Sequence, residues 1–315
     1  MVFYLIDRGE EIMNVMTFLQ LQNEDKNADR MAYIDFKIRF TGFINRSDLT
    51  SMFGLASAAA SNMMAKYLEL RPENMEYDPK LRANIITNKY KPLVSIDADT
   101  ALGMLANGFN KNKLIDNPIV PYARIGYIDN PLDTDTVAKI TRAMARGYAI
   151  STKYYSKSSG EHGKRTILPT ALLFNGKDWI FRAFCKRTKG REKFKFFNFT
   201  RATYVEEIVD HLRTPQEDIS QDKMWNTQIP LLLIPHPDRD EDEISIIKSD
   251  FGFHGESKLI KTERAALIFM LKYQWMIDDR TDEKKEEDKK NNEKKYYNFE
   301  LSNREMVQIL LDSLE

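Results

Sequence analysis

The chain has 315 residues, 42% hydrophobic and 30% charged, and its 47 Lys and Arg balance 47 Asp and Glu to a formal net charge of zero. That length accommodates two or three domains with real cores, and overall neutrality means that any attraction to nucleic acid must be local. The one cysteine, Cys185, excludes an internal disulfide and fits a reducing compartment, the scattered His162, His211, His236 and His254 give no metal-ligand spacing, and no apolar run is long enough for a bilayer, so a cytoplasmic protein with no cofactor is expected.

Residues 1–28 form an N-terminal extension of uncertain structure. Val2 to Ile6 is a poor signal peptide because charges follow at once. Glu11 to Gln22 is compatible with a short helix, and Met13 or Met16 are alternative starts. From Asp29, Tyr33, Phe36 and Phe40 recur at helical spacing beside Ile34 and Ile38. Gly42 breaks that helix. Asn45 caps the next, with Asp48 as a variant capping box, and Leu49 and Phe53 form its buried side. Gly54 makes a tight turn, and Ser57 is placed to cap a third helix running to about Leu70. Helix, glycine turn, helix is a helix-turn-helix pattern. Met75–Asp78 and Ala83–Ile86 flank Pro79-Lys80-Leu81-Arg82 as a hairpin, which in that position is a wing. The winged helix is assigned to 29–91.

Residues 92–132 read as a connector with a helix from Asp99 to Phe109 among Pro92, Pro118, Pro121 and Pro131. Val137, Ile140, Met144 and Tyr148 define an amphipathic helix that opens a domain at 133–213. Short strands follow at 150–156, 165–168, 171–174, 179–186 and 193–199, with Asn175-Gly176 as a hairpin turn. Five strands with tight turns suggest a small barrel, and Ala202 to Leu212 reads as a closing helix. In the last region, 225–315, Ile229 to Ile234 is a strand ended by Pro235, Ile244 and Ile247 mark a helix, and Glu263 to Ile277 reads as a long one. This pattern implies a small α+β domain. Residues 278–295 are nearly all charged and are expected to be a solvated, disordered insertion. Ser302 and Glu305 read as a capping box before a final helix bearing Val307, Leu310, Leu311 and Leu314.

On the third helix, Ala60, Met63, Met64 and Tyr67 fall on one face and Ala58, Ser61, Asn62 and Ala65 on the other. The second face is small and polar, which suits a major groove, with Asn62 able to read adenine and the alanines able to meet thymine methyls. Ser57 and Ser61 are further base or phosphate contacts, and Arg46, Lys66, Lys80 and Arg82 are phosphate contacts. The plainer alternative is a three-helix core with an ordinary solvent face.

Between 151 and 201, thirteen Lys and Arg stand against three Asp and Glu, an excess that favours an anionic partner. Lys186 to Lys193 reads better as a solvated hairpin tip. Arg182 and Arg201 are expected inside strands among aromatics, where arginine commonly has a defined partner. Tyr154-Tyr155-Ser156, Arg165-Thr166-Ile167-Leu168-Pro169, Trp179-Ile180-Phe181-Arg182-Ala183-Phe184 and Lys195 to Arg201 resemble the WYL domain, an Sm-like β-barrel of bacterial transcriptional regulators. The naming triplet reads Trp179-Ile180-Phe181 here. Together with Ile44-Asn45-Arg46-Ser47-Asp48-Leu49, Lys66-Tyr67 and Pro235-His236-Pro237, the whole arrangement is similar to the BrxR/CapW-type repressors of BREX and CBASS phage-defence islands.

The resemblance implies an α+β multidomain protein: an N-terminal winged helix-turn-helix, a central WYL Sm-like β-barrel and a C-terminal small α+β (WYL C-terminal extension) domain used for dimerisation. It implies a homodimer on a palindromic operator in double-stranded DNA, with a nucleotide or nucleic-acid fragment as effector. Carried over by position, the effector residues are Tyr154, Ser156, Arg165, Trp179, Arg182, Lys195 and Arg201. Thr170 stands where the subgroup often has histidine. Core packing explains Tyr154 and Trp179 equally well, and an internal salt bridge is the competing account of the arginines. A transcriptional activator, or an RNA-polymerase partner whose WYL domain binds nucleic acid directly, is the alternative function. A nucleic-acid-processing enzyme is remote, because no phosphate loop, nucleophile with a base, or paired metal carboxylates are present. We therefore expect no catalytic residues and no metal ligands.

Overall fold

The computed structural model describes residues 15–115, 120–121, 132–156, 162–186, 194–291 and 295–314. Val2 to Ile6, the start of the Glu11 segment, Pro118, Pro131 and the hairpin tip at 187–193 lie outside them. The described residues divide into two compact units, and the chain passes from the first to the second between Arg213 and Thr214.

The first unit begins with α1 (Phe18–Glu24), whose Thr17 and Gln20 form a reciprocal capping box. Just before it, Met16 pairs with Val94 and exchanges backbone hydrogen bonds with Leu93 and Ser95. Then come α2 (Ala28–Thr41), β1 (Phe43–Ile44), α3 (Arg46–Phe53) and α4 (Ser57–Leu70). The reading of Asn45 is borne out: its side chain accepts from the Asp48 amide, and Asp48 accepts from the Asn45 amide. Ser57 is not the cap of α4. Extended Ala56 holds that place without a side-chain bond, and Ser57 is the first helical residue. The wing is β2 (Met75–Asp78) and β3 (Ala83–Ile86), which join β1 in the order β1-β3-β2.

The connector helix α5 (Ala98–Asn107) is capped by Asp97. It does more than span a gap, for Phe109 just beyond it packs edge-on against Tyr33 at 5.2 Å and at a tilt against Phe36 at 5.6 Å. The amphipathic helix α6 (Thr134–Arg146) lies directly on α2. Gly42 permits that approach. It sits at φ +80°, and a Cβ there would come within 2.9 Å of the Arg146 side chain. One continuous set of buried side chains accordingly runs from Phe18 through Ile140 to Phe197.

The strands after α6 are β4 (Tyr148–Tyr155), β5 (His162–Phe174), β6 (Trp179–Cys185), β7 (Phe194–Asn198) and β8 (Ala202–Leu212). They form one antiparallel sheet in the order β7-β6-β5-β4-β8. The two strands expected at 165–168 and 171–174 are a single strand with a register shift between Pro169 and Ala171. The expected closing helix at 202–212 is a strand. Val205, Ile208 and Leu212 have helical spacing, but this segment pairs with β4 from Ala202 to Leu212, and the ladder outweighs local periodicity. Tyr154 draws the sheet's edges together: it pairs with Ala202 of β8, and its hydroxyl accepts from the Asn198 amide of β7 at 3.0 Å.

The second unit contains α7 (Lys223–Asn226), β9 (Gln228–Pro235), α8 (Glu241–Asp250), β10 (Leu259–Arg264), α9 (Ile268–Gln274), β11 (Ile277–Asp278), α10 (Asp282–Lys290), β12 (Phe299–Leu301) and α11 (Arg304–Leu314). The long helix expected from Glu263 is corrected. Glu263 and Arg264 finish a strand that pairs residue by residue with β9, so the helix begins only at Ile268. Residues 278–295 are not a structureless insertion over their described length, since Thr281 caps the helix α10. Asp288 of that helix is buried with three cations around it, at 2.7 Å from Arg280, 2.9 Å from Lys295 and 3.4 Å from Lys284. The final helix starts at Arg304, one residue later than a Ser302 cap gives. Asn303 precedes it and binds the backbone of β9 at Leu232 and Pro230.

Candidate nucleic-acid interface and the faces of the central sheet

The head is organised around a buried carboxylate that periodicity did not single out. Asp35 of α2 is 1% exposed and accepts four hydrogen bonds. The Tyr67 hydroxyl of α4 donates at 2.6 Å, the Tyr90 hydroxyl at 2.9 Å, and the amides of Leu93 and Val94 at 3.1 Å each. Burial pushes the Asp35 carboxyl up despite these donors. Asn74 completes the net, donating to Tyr67 at 2.7 Å and to the Lys91 carbonyl at 2.8 Å. The inner side of α4 is thus tied to α2 and to the segment leaving the wing. The available signal was the lone acid inside the apolar run Tyr33-Ile34-Asp35-Phe36.

With that side fixed, the opposite side of α4 faces out. Ala58, Asn62 and Ala65 are exposed, while Ala60, Met64 and Tyr67 are buried, as the spacing predicts. Ser61 is half-buried and gives its hydroxyl to the Ser57 carbonyl at 3.2 Å. Arg46, at the start of α3, is exposed, as are Lys80 and Arg82 in the wing turn. Lys66 stands apart from these cations, because Asp25 holds its ammonium at 2.6 Å. Burial alone would raise the Asp25 carboxyl; Lys66 and the Asn27 amide outweigh it and lower it.

The register of the central sheet sorts the other candidates. In antiparallel ladders, directly paired residues share a face and neighbours along a strand alternate. Pairing of Ala183 with Lys195, Phe181 with Phe197, and Ile167 with Cys185 places Trp179, Lys195, Arg165 and Tyr154 on one face. Arg182 pairs with Phe196 on the other, its guanidinium 4.6 Å from that ring centre. Arg182 is buried, and Thr170 donates to its carbonyl at 3.0 Å. Arg201 is in the 3-10 turn Phe199–Arg201 rather than in a strand. Ser156 directly follows β4 and is half-buried. Arg165 lies over the Tyr154 ring at 5.4 Å, and Tyr154 meets Phe197 edge-on at 5.0 Å. Tyr154 therefore packs and binds within the sheet while also presenting a cation-bearing face.

Trp179 has a defined role in the fold. Its indole N–H donates to Asp99 of α5 at 2.7 Å, so strand β6 is fastened to the connector helix. A second fastening, also missed in the sequence, is Arg142 of α6. It donates Nε and Nη2 to Glu207 of β8 at 2.9 and 2.6 Å, and Nη1 to the Arg39 carbonyl on α2 at 2.8 Å. Tyr148 donates to the same Glu207 carboxylate. Arg39 itself pairs with Asp135 at 2.9 Å. Among the described residues, no group of three or more His, Cys, Asp or Glu is placed to hold a metal ion, and no helix is long and apolar enough to cross a membrane.

Residues 26–107 match the BrxR transcriptional regulator winged helix-turn-helix domain, and residues 135–204 match the WYL domain. The chain is similar to a protein of Pseudomonas aeruginosa described as the DNA-binding transcriptional repressor CapW, with 28% identity over 266 residues, 81% of this chain and 85% of that one. A protein of Stenotrophomonas maltophilia with the same description is 27% identical over 78% of this chain and 81% of its own length. Among solved structures, proteasome accessory factor B/C (PafBC) of Arthrobacter aurescens aligns over 86% of this chain at 14% identity and a TM-score of 0.25, and this chain spans only 46% of that one.

Proposed function

We propose that this chain, built from a BrxR-type winged helix-turn-helix and a WYL domain, is a homodimeric repressor. It binds an inverted repeat upstream of phage-defence genes and is relieved by a nucleotide or nucleic-acid fragment held in its WYL domain. The observation that carries the reading is the outer side of α4. Ala58, Asn62 and Ala65 project to solvent from a helix fixed on its inner side by the Asp35–Tyr67 bond, with Arg46, Lys80 and Arg82 exposed on the neighbouring α3 and wing. A small polar helix face beside exposed cations suits major-groove entry with phosphate contacts on either side. The relatives' description as DNA-binding repressors supports the same reading. Dimerisation would place two such helices about one turn of DNA apart and so call for a palindromic site.

The test is a gel shift of the full chain against duplex DNA from just upstream of its own gene cluster, at a stated modest salt concentration. Retardation of that duplex at a concentration that leaves a scrambled duplex free is expected. Equal affinity for both, or metal-dependent cleavage of either, overturns the reading.

A further inference from the structure

Between the first turn of α6 and the bulged start of β8 lies a cleft of about 380 Å³, lined among others by Asp133, Thr136, Val137, Phe199, Tyr155 and Tyr204. Its size is at the lower end of the ~300–1,000 Å³ typical of small-ligand sites. None of the effector residues expected from the sequence lines it. Tyr204 is its unusual member, 80% exposed and at φ +51°. For a bulky side chain this left-handed conformation is costly. Among the described residues, the other non-glycine residues with positive φ, Arg82, His254 and Met276, are in turns or between elements, whereas Tyr204 is inside a strand.

The conformation is held from both sides. The register of β8 against β4 shifts between Ser151 and Lys153, which makes Tyr204 part of a β-bulge. The carbonyl before it, of Thr203, accepts from the Thr152 hydroxyl at 2.9 Å, and the carbonyl after it, of Val205, accepts from the Lys139 ammonium of α6 at 3.1 Å. Bonds from two elements thus hold the backbone on either side of Tyr204, whose ring is exposed at the cleft. Tyr155, 43% exposed, is a second ring on the cleft, with the Lys153 ammonium 5.4 Å from its centre.

We infer that this cleft is a nucleobase-stacking subsite: the Tyr204 and Tyr155 rings take a base of a single-stranded nucleic acid, and Lys153 takes its phosphate. Flat exposed rings beside a cation are the chemistry by which single strands are held. The apolar wall of Val137 and Phe199 suits the base, and Thr136 with the Asp133 carboxylate offers polar partners for its edge. This deepens, and rests on, the reading of a nucleic-acid effector. It adds that a base is recognised between the first turn of α6 and the start of β8, near the Asp135–Arg39 contact with the head.

The experiment is fluorescence anisotropy of the full chain with an end-labelled hexadeoxythymidylate and with an abasic oligomer of equal length. Tyr204→Gly removes the ring and favours the local backbone, so lost binding would not reflect lost folding. Expected are binding by the wild type, about 5- to 150-fold weaker binding by Tyr204→Gly (the worth of one base–aromatic stack), and nearly full retention by Tyr204→Phe. Equal binding of the thymidylate by wild type and Tyr204→Gly, or of both oligomers by the wild type, overturns the subsite while leaving a nucleic-acid effector standing. No binding of either oligomer overturns both.

Discussion

Arg142 of α6 grips Glu207 of β8 through two parallel hydrogen bonds of 2.9 and 2.6 Å, and its remaining nitrogen reaches the last turn of α2 in the head. One side chain therefore bridges α2 of the head and the sheet that carries the effector candidates. Glu207 of β8 and the Arg39 carbonyl of α2 are held by the same guanidinium.

Arg142→Met removes this bridge and leaves Glu207 and the Arg39 carbonyl without that donor. We expect a loss of about 2–4 kcal/mol, in the range for breaking a largely buried pair. The ratio of operator affinities with and without single-stranded nucleic acid should also move toward one. A thermal melt and paired gel shifts check both, and an unchanged ratio removes Arg142 from the coupling.

In the head, Tyr67→Phe deletes one donor to Asp35, and Asp35→Leu deletes the acceptor of four. The first should cost about 1–2 kcal/mol and the second more, because it strands two tyrosine hydroxyls and two amides. Both should weaken operator binding, since they loosen the inner side of α4. Melting temperatures followed by circular dichroism, with gel shifts on the surviving fold, test this.

On the outer side, the expected signatures differ by residue. Asn62→Ala should cost about 1–3 kcal/mol on the operator and little on unrelated DNA, as loss of a base contact does. Arg46→Ala and Lys80→Ala should weaken both alike and each reduce the salt slope by about 0.9. Titrations at several salt concentrations separate the two classes.

Charge reversal at Arg182 or at Arg201 should abolish the effector response and spare operator binding. Because Arg182 and Arg165 lie on opposite faces of the sheet, Arg165→Glu is the informative companion. A response lost in Arg182→Glu but kept in Arg165→Glu assigns the effector to the Phe196 face, and the reverse assigns it to the Tyr154 face. A normal response in both Arg182→Glu and Arg201→Glu shows that these two do not hold it.

The second unit should be sensitive to acid through Asp278. Burial by itself would raise this carboxyl, but the Arg280 side chain and amide together with His236 hold it at about 2. The unfolded value is near 3.9. A lowered carboxylate pKa contributes stability that is fully present above the unfolded value and is lost as pH falls through the folded one. Urea midpoints of the full chain should therefore show about 1 kcal/mol lost through this group by pH 3, and more below that. Asp278→Asn should remove this part of the pH dependence.

Much of the head was legible because its signals are local. The Asn45–Asp48 box, the glycine stop after Thr41 and the Pro79–Arg82 turn each act within a few residues, and the structure has them where the spacing puts them. Signals that depended on a distant strand failed. Val205, Ile208 and Leu212 imitate a helix until β4 supplies the ladder, and Glu263 sits in a helix-forming run until β9 claims it.

What the sequence by itself determined is the kind of protein: a winged helix with one small polar helix face, followed by a strand-rich basic domain. Those properties follow from periodicity, caps and charge, which neighbouring residues settle among themselves. Only the tertiary structure decided that Arg182 turns away from Tyr154, Arg165 and Lys195, that Asp35 anchors α4, and that Tyr204 is held out over a cleft. Face parity depends on strand register and bulges, and a buried carboxylate depends on donors brought from α4, Tyr90 and the 93–94 segment. Neither is set until the distant partners have met.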